Sequence, residues 1–152
     1  MKKTLLVALL TFGLYAVSHA QNMSSSYTTA IGAKGYFGDG SIGGLNVKHF
    51  LEGNTALEGS LLFKSKTFIA EGLYEWHGNI TGAQGLKWYV GPGAQLGSLY
   101  EEFYLALKGT VGLDYKFSGA PITIAFDVNP TFSLTPGTDF SFFAGVGFRF
   151  AL

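Results

Sequence analysis

Beyond residue 20 the chain holds two histidines, His49 and His77, and it has no cysteine anywhere. A histidine becomes a hydrolytic base when a nucleophile and an orienting carboxylate lie within reach. Glu75 stands two residues before His77 in "YEWH" (Tyr74–His77). On a strand that spacing places both side chains on one face, which pairs them without building a triad. The stretch reads instead as an aromatic belt with wet polar tips. Metal chemistry is not indicated, because thiols are absent and the histidines lack a ligand spacing. "FGDGS" (Phe37–Ser41) offers one acid where a calcium loop needs several. "NMS" at Asn22 and "NIT" at Asn79 fit the glycan-acceptor pattern and are read as chance matches. No catalytic, cofactor-binding or metal-ligating residue is expected.

The remaining chemistry is charge. Lys34, Lys48, Lys64, Lys87, Lys108, Lys116 and Arg149 stand against Glu58, Glu71, Glu75, Glu102, Asp114 and Asp127, close to balance. Charges withdrawn from water cost several kcal/mol each unless they pair and hydrogen-bond. A balanced set of this kind points to an interlocked ion-pair core. Lys108, Asp114, Lys116, Asp127 and Arg149 fall on three consecutive segments, so at least one opposite pair is expected across a strand junction.

The elements that hold these charges alternate with a period of two. Eight such segments follow one another: Tyr27–Lys34, Ile42–Leu51, Thr55–Lys64, Thr67–His77, Leu86–Leu96, Glu102–Phe117, Ile122–Leu134 and Asp139–Leu152. In the sixth, Phe103, Leu105, Leu107, Val111, Leu113, Tyr115 and Phe117 oppose Glu102, Tyr104, Lys108, Thr110, Asp114 and Lys116. In the eighth, Phe140, Phe142, Ala144, Val146, Phe148 and Phe150 alternate with small residues and Arg149. The second and fourth are less regular: Phe50 shares a face with Asn46 and Lys48, and Ile69 and Leu73 with Glu71 and Glu75. Pro92 and Pro130 each withhold a ladder hydrogen bond, so local bulges are expected there.

Eight antiparallel strands close without leaving an edge. The oily face then points inward, as in a soluble lipocalin-like carrier, or outward against lipid. Volume decides. The bulky residues share one face, and Gly, Ala, Ser, Thr and the charges share the other, which suits a lumen just wide enough for side chains. The fold class expected is therefore an all-β, closed, eight-stranded antiparallel up-and-down transmembrane barrel. Aromatic girdles are expected at Tyr74, Trp76, Trp88, Tyr115, Phe148 and Phe150 on one rim. Tyr36, Phe37, Phe63, Phe68, Tyr100, Phe103, Phe132, Phe140 and Phe142 should mark the other. A filled lumen leaves little room for an ion path. Short outward loops at Gly35–Ser41, Ser65–Lys66, Gly97–Glu101 and Thr135–Thr138 argue against adhesion or receptor work.

The first residues, "MKKTLLVALLTFGLYAVSHAQ", have a basic start, an apolar run and small residues at Ser18 and Ala20, the pattern of a secretory signal peptide. The run is shorter than the roughly 20 residues a membrane helix needs. Residues 1–20 are assigned to the leader and residues 21–152 to the barrel. Losing Lys2 and Lys3 from a formally neutral chain leaves a net charge of −2. Nucleic acid is not an expected partner, for want of a basic face.

Four stretches carry a resemblance: "VKHFLEGNTALEG" (Val47–Gly59), "GLYEWHGNI" (Gly72–Ile80), "LKWYVGPGAQLG" (Leu86–Gly97) and "GLDYKFSGAPITIAFDVNP" (Gly112–Pro130). Together they resemble the small eight-stranded outer-membrane barrels, and more narrowly uncharacterised ones of Bacteroidota-type bacteria. The resemblance implies the outer membrane of a Gram-negative bacterium, periplasmic termini, contact with outer-membrane lipid and insertion by the barrel-assembly machinery. Gly145, Phe148 and Phe150 are similar to the insertion signal of such proteins, although the chain continues to Ala151 and Leu152. No activity is implied. The function expected is a structural role or an accessory place in a larger outer-membrane complex. A carrier of an apolar ligand, a narrow channel and an outer-leaflet lipid-modifying enzyme are the alternatives.

Overall fold

The computed structural model describes residues 27–52 and 54–152, so the expected signal peptide and Asn22 lie outside the described residues. Every regular element among the described residues is a strand: β1 (Thr29–Gly38), β2 (Gly40–Phe50), β3 (Thr55–Lys64), β4 (Thr67–Asn79), β5 (Leu86–Leu99), β6 (Glu102–Lys116), β7 (Ile122–Thr135) and β8 (Asp139–Ala151). Each pairs antiparallel with its sequence neighbours, and β8 returns to β1 to close the barrel. At that seam Ala30 opposes Ala151 and Phe37 opposes Ala144. The Leu152 N–H also donates to the Thr29 carbonyl at 2.7 Å.

Alternation sets the faces. Leu107, Val111, Phe126, Phe142 and Phe148 are among the many large apolar residues exposed on the outer surface. Lys34, Lys48, Glu58, Glu75 and Arg149 are at most 2% exposed in the interior. The oily face is outside.

Several details differ from the sequence reading. β1 continues past Lys34 to Gly38, because Gly38 pairs directly with Gly40 across a turn at Asp39. Gly40 holds φ at 115°, a value that side chains with a Cβ rarely adopt. The turn at 65–66 is as expected, and those at 100–101 and 136–138 are shorter than expected. Tyr36 is not in a girdle: it points inward and is buried. Phe50 faces inward with Asn46 and Lys48, the face its parity gave it, with its ring centroid 4.6 Å from that of His77.

The prolines produce no bulge. The β4–β5 register runs unchanged from Leu73↔Gly93 to Trp76↔Val90, and β6–β7 from Lys108↔Thr131 to Val111↔Val128. Each proline opens its ladder locally without adding a residue. The register shift lies instead where Leu105 and Ala106 meet Thr135 and Ser133, leaving Leu134 extra on β7.

Candidate functional site: the polar interior

Inward positions of all eight strands build one continuous set of buried polar side chains. Glu58 on β3 is its hub. Its carboxylate lies 2.5 Å from Lys34 Nζ, 2.9 Å from Lys48 Nζ and 2.8 Å from Arg149 Nη2, cations from β1, β2 and β8. The Asn46 amide donates to it at 3.1 Å and in turn accepts from Arg149 Nε. Lys34 also reaches Asp127 at 2.8 Å, and Lys48 reaches Glu75 at 2.8 Å and Asp114 at 3.7 Å. The network therefore spans the barrel diameter.

A second knot forms around Glu71. Lys108 approaches its carboxylate at 2.7 Å, and Tyr36 and the Gln95 amide each donate to it at 2.6 Å. Charge-assisted bonds of this kind are the stronger class. The Lys108 ammonium also lies 4.0 Å from the Tyr36 ring centroid, within cation–π range.

Aromatic side chains close the end that carries the finish of β8. Tyr27, just before β1, donates to Asp114 at 2.5 Å, and its ring meets Phe50 edge-on at 5.0 Å. Burial, with the Asp114 carboxylate beside it, pushes the Tyr27 phenol up. His77 stacks on Tyr89 at 5.1 Å and shares a 2.9 Å hydrogen bond with Glu75. It is 3% exposed, so the wet tip read from "YEWH" is corrected: Tyr74 and Trp76 face outward, and Glu75 and His77 face the interior. His49 points the other way, to the outer surface, where its Nδ1 lies 2.8 Å from Thr29 Oγ1.

Of the thirteen charges read from the sequence, ten are buried in the interior: Lys34, Lys48, Glu58, Glu71, Glu75, Lys108, Asp114, Lys116, Asp127 and Arg149. Lys64 and Glu102 share the inward parity but stand exposed at the end opposite the start of β1 and the finish of β8. Lys87 is half-buried at the terminal end, with its ammonium 4.9 Å from the Phe50 ring. Lys116 makes no ion pair within 4 Å among the described residues and donates instead to the carbonyls of Phe117 and Ala120 at 2.7 and 2.8 Å.

No opposite pair forms among Lys108, Asp114, Lys116, Asp127 and Arg149, which corrects the expectation of neighbouring-strand pairing. The register explains why. Asp127 opposes Gly112 and Gly145, and Arg149 opposes Thr123 and Gly32; Asp114 opposes Ala125 on β7 and Lys87 on β5, whose ammonium lies over the Phe50 ring instead. Without an opposite charge beside them on β6–β8, these side chains extend across the lumen to β1, β2, β3 and β4. Gly145 is needed for this: an added Cβ would lie 2.0 Å from Asp127 Oδ1. Phe148 and Phe150, the other members of the terminal motif, face outward and pack edge-to-face at 5.8 Å.

Tyr89, Gln95 and Asn129 also belong to the network, although none is among the charges read from the sequence. Their parity was the available signal, since Tyr89 and Gln95 share an inward row with Lys87, and Asn129 one with Asp127. Tyr27 had no such signal.

No protein-family model matches the chain, and no curated protein matches it in sequence. Among solved structures, the N-terminal β-barrel domain of OprF from Pseudomonas aeruginosa is similar, with a TM-score of 0.66 and 17% identity. The match covers 84% of this chain and 100% of that domain. At that identity the likeness is one of fold, and the fold shared is the closed eight-stranded antiparallel barrel.

Proposed function

We propose that this chain is an integral barrel of a Gram-negative outer membrane, with periplasmic termini and a filled polar lumen. Its role is structural or accessory to a larger outer-membrane complex, without catalysis. The carrying observation is inverted polarity: the outer surface is apolar around the circumference, while ten Lys, Arg, Asp and Glu side chains lie inside. An exposed apolar surface of that extent belongs against lipid or a partner. Likeness in fold to a barrel domain of OprF supports the same reading.

Support for a filled lumen comes from an apolar layer beyond Glu71, where Tyr36, Leu62, Ile69, Tyr104 and Ala106 pack together inside the barrel. Contact with lipid, insertion by the barrel-assembly machinery through β8, and the narrower Bacteroidota-type kinship belong to this proposal too. They rest on the sequence stretches quoted above. A soluble carrier of an apolar ligand would need its oily face inside, the reverse of the arrangement here.

Cell fractionation tests the reading. The protein should sediment with outer membranes and require detergent for release. Recovery in the periplasmic supernatant without detergent would defeat it. Co-purification from mild detergent then separates the two roles: a stoichiometric partner favours the accessory one, and a lone barrel the structural one.

A further inference from the structure

At the end opposite the start of β1 and the finish of β8, the barrel mouth opens into a cup of about 310 Å³ to which all eight strands contribute. Its lower wall is Tyr36, Ile42, Ile69, Tyr104 and Phe143. The same five residues line a smaller cavity of about 60 Å³ beneath it, which ends on Gln95 and Lys108. Ligand sites are concave, mostly apolar and aromatic, carry a few placed polar groups, and recur in barrel mouths. This cup meets each of those conditions.

Its chemistry is graded from rim to floor. Asp39 and Asp139 line the rim, on the β1–β2 turn and the start of β8, strands that pair with one another. Lys64 is the opposing charge in the lining, so carboxylates outnumber ammonium groups two to one. Tyr100 adds an aromatic ring to those of Tyr36, Tyr104 and Phe143. The floor is different, since Lys108 there is already paired with Glu71 and the lining offers no carboxylate to a second cation.

We infer that the cup binds a small amphipathic organic cation, with its apolar body against Ile42, Ile69, Tyr104 and Phe143 and its ammonium at the rim between Asp39 and Asp139. Carboxylates and aromatic faces both attract such a group. The Lys108 floor fixes which end enters first. The inference concerns the mouth alone and holds whatever solvent surrounds the outer surface.

Three water-soluble probes with one phenyl body test it: phenethylammonium, 2-phenylethanol and 3-phenylpropionate. Each is titrated by NMR against the full barrel, in lipid nanodiscs or in buffer if the protein proves soluble. Saturable binding of the ammonium is expected, about tenfold tighter than the carboxylate. The double variant Asp39→Asn/Asp139→Asn changes only exposed side chains and should bring the ammonium down to the affinity of the alcohol. Ile42→Trp, which fills the cup, should abolish binding of all three. The inference is overturned if no probe saturates, if the alcohol or carboxylate binds as well as the ammonium, or if the double variant binds the ammonium unchanged.

Discussion

Arg149 shows what a single interior side chain contributes here. It is fully buried, donates to Glu58 and Asn46, and is reached only by a strand whose neighbours oppose it with Thr123 and Gly32. Removing one partner of a buried pair costs about 3–5 kcal/mol. Lys34 and Lys48 would still hold Glu58, so Arg149→Ala should cost near the low end, about 3 kcal/mol. Urea unfolding in lipid vesicles measures it, with Glu102→Ala at the exposed rim expected to stay within about 0.5 kcal/mol. Gly145 makes a second prediction. A methyl group there collides with the Asp127 carboxylate, whereas one at Gly72 meets nothing within 4 Å. Gly145→Ala should therefore cost about 1–3 kcal/mol by overpacking, and Gly72→Ala little. The alternation made Arg149 legible as an inward charge. Its partners, Asn46 and Glu58, were not legible, because they depend on the lateral register of β8, β1, β2 and β3.

At the scale of the strand, β6 separates the two faces most sharply. Leu107 is 54% exposed on the outer surface, and Thr110, three residues on, is 1% exposed inside. In the proposed bilayer, Arg at a midplane position on the outer face costs about 2–4 kcal/mol. Leu107→Arg should lower stability in vesicles by that amount, and Thr110→Arg should lower it through crowding of the lumen. If Leu107→Arg folds like the parent protein in lipid, the outer face is not in hydrocarbon. Six of the eight strands were readable from alternation alone. β2 and β4 looked irregular because Phe50, Ile69 and Leu73 are apolar yet face inward. They serve the internal aromatic and apolar packing, which a rule of oily-out and polar-in does not anticipate. Pro92 and Pro130 misled for another reason: a missing N–H leaves a gap in a ladder, and the flanking pairs are strong enough to keep the register across it.

The whole molecule combines a charged middle with an apolar layer on one side and an aromatic one on the other. Each would obstruct water independently. Planar bilayers containing the purified protein should accordingly show no steady single-channel conductance. Arg149→Ala should not create any, because Tyr36, Leu62, Ile69 and Tyr104 lie in a different layer. Charge-selective steps that depend on Arg149 would overturn the filled-lumen reading. The closed fold itself was legible, since eight regular segments with one bulky face leave few alternatives. The cup at the far mouth was not legible, because it is made by eight strands that meet only on closure. That closure also governs how the molecule comes apart. The bonds from Arg149 reach residues 103 and 91 positions earlier in the chain, and those from Lys34 extend to both β3 and β7. The Arg149 bonds and the Lys34–Asp127 pair cannot form while β8 is detached from β1, whereas Lys34–Glu58, Lys48–Glu58, Lys48–Glu75 and Lys108–Glu71 join strands on one side of the seam. The ion pairs that cross the seam thus arrive together on closure, and unzipping there releases them at once. The barrel should behave as a latch, with one sharp transition by every probe and no populated half-open state.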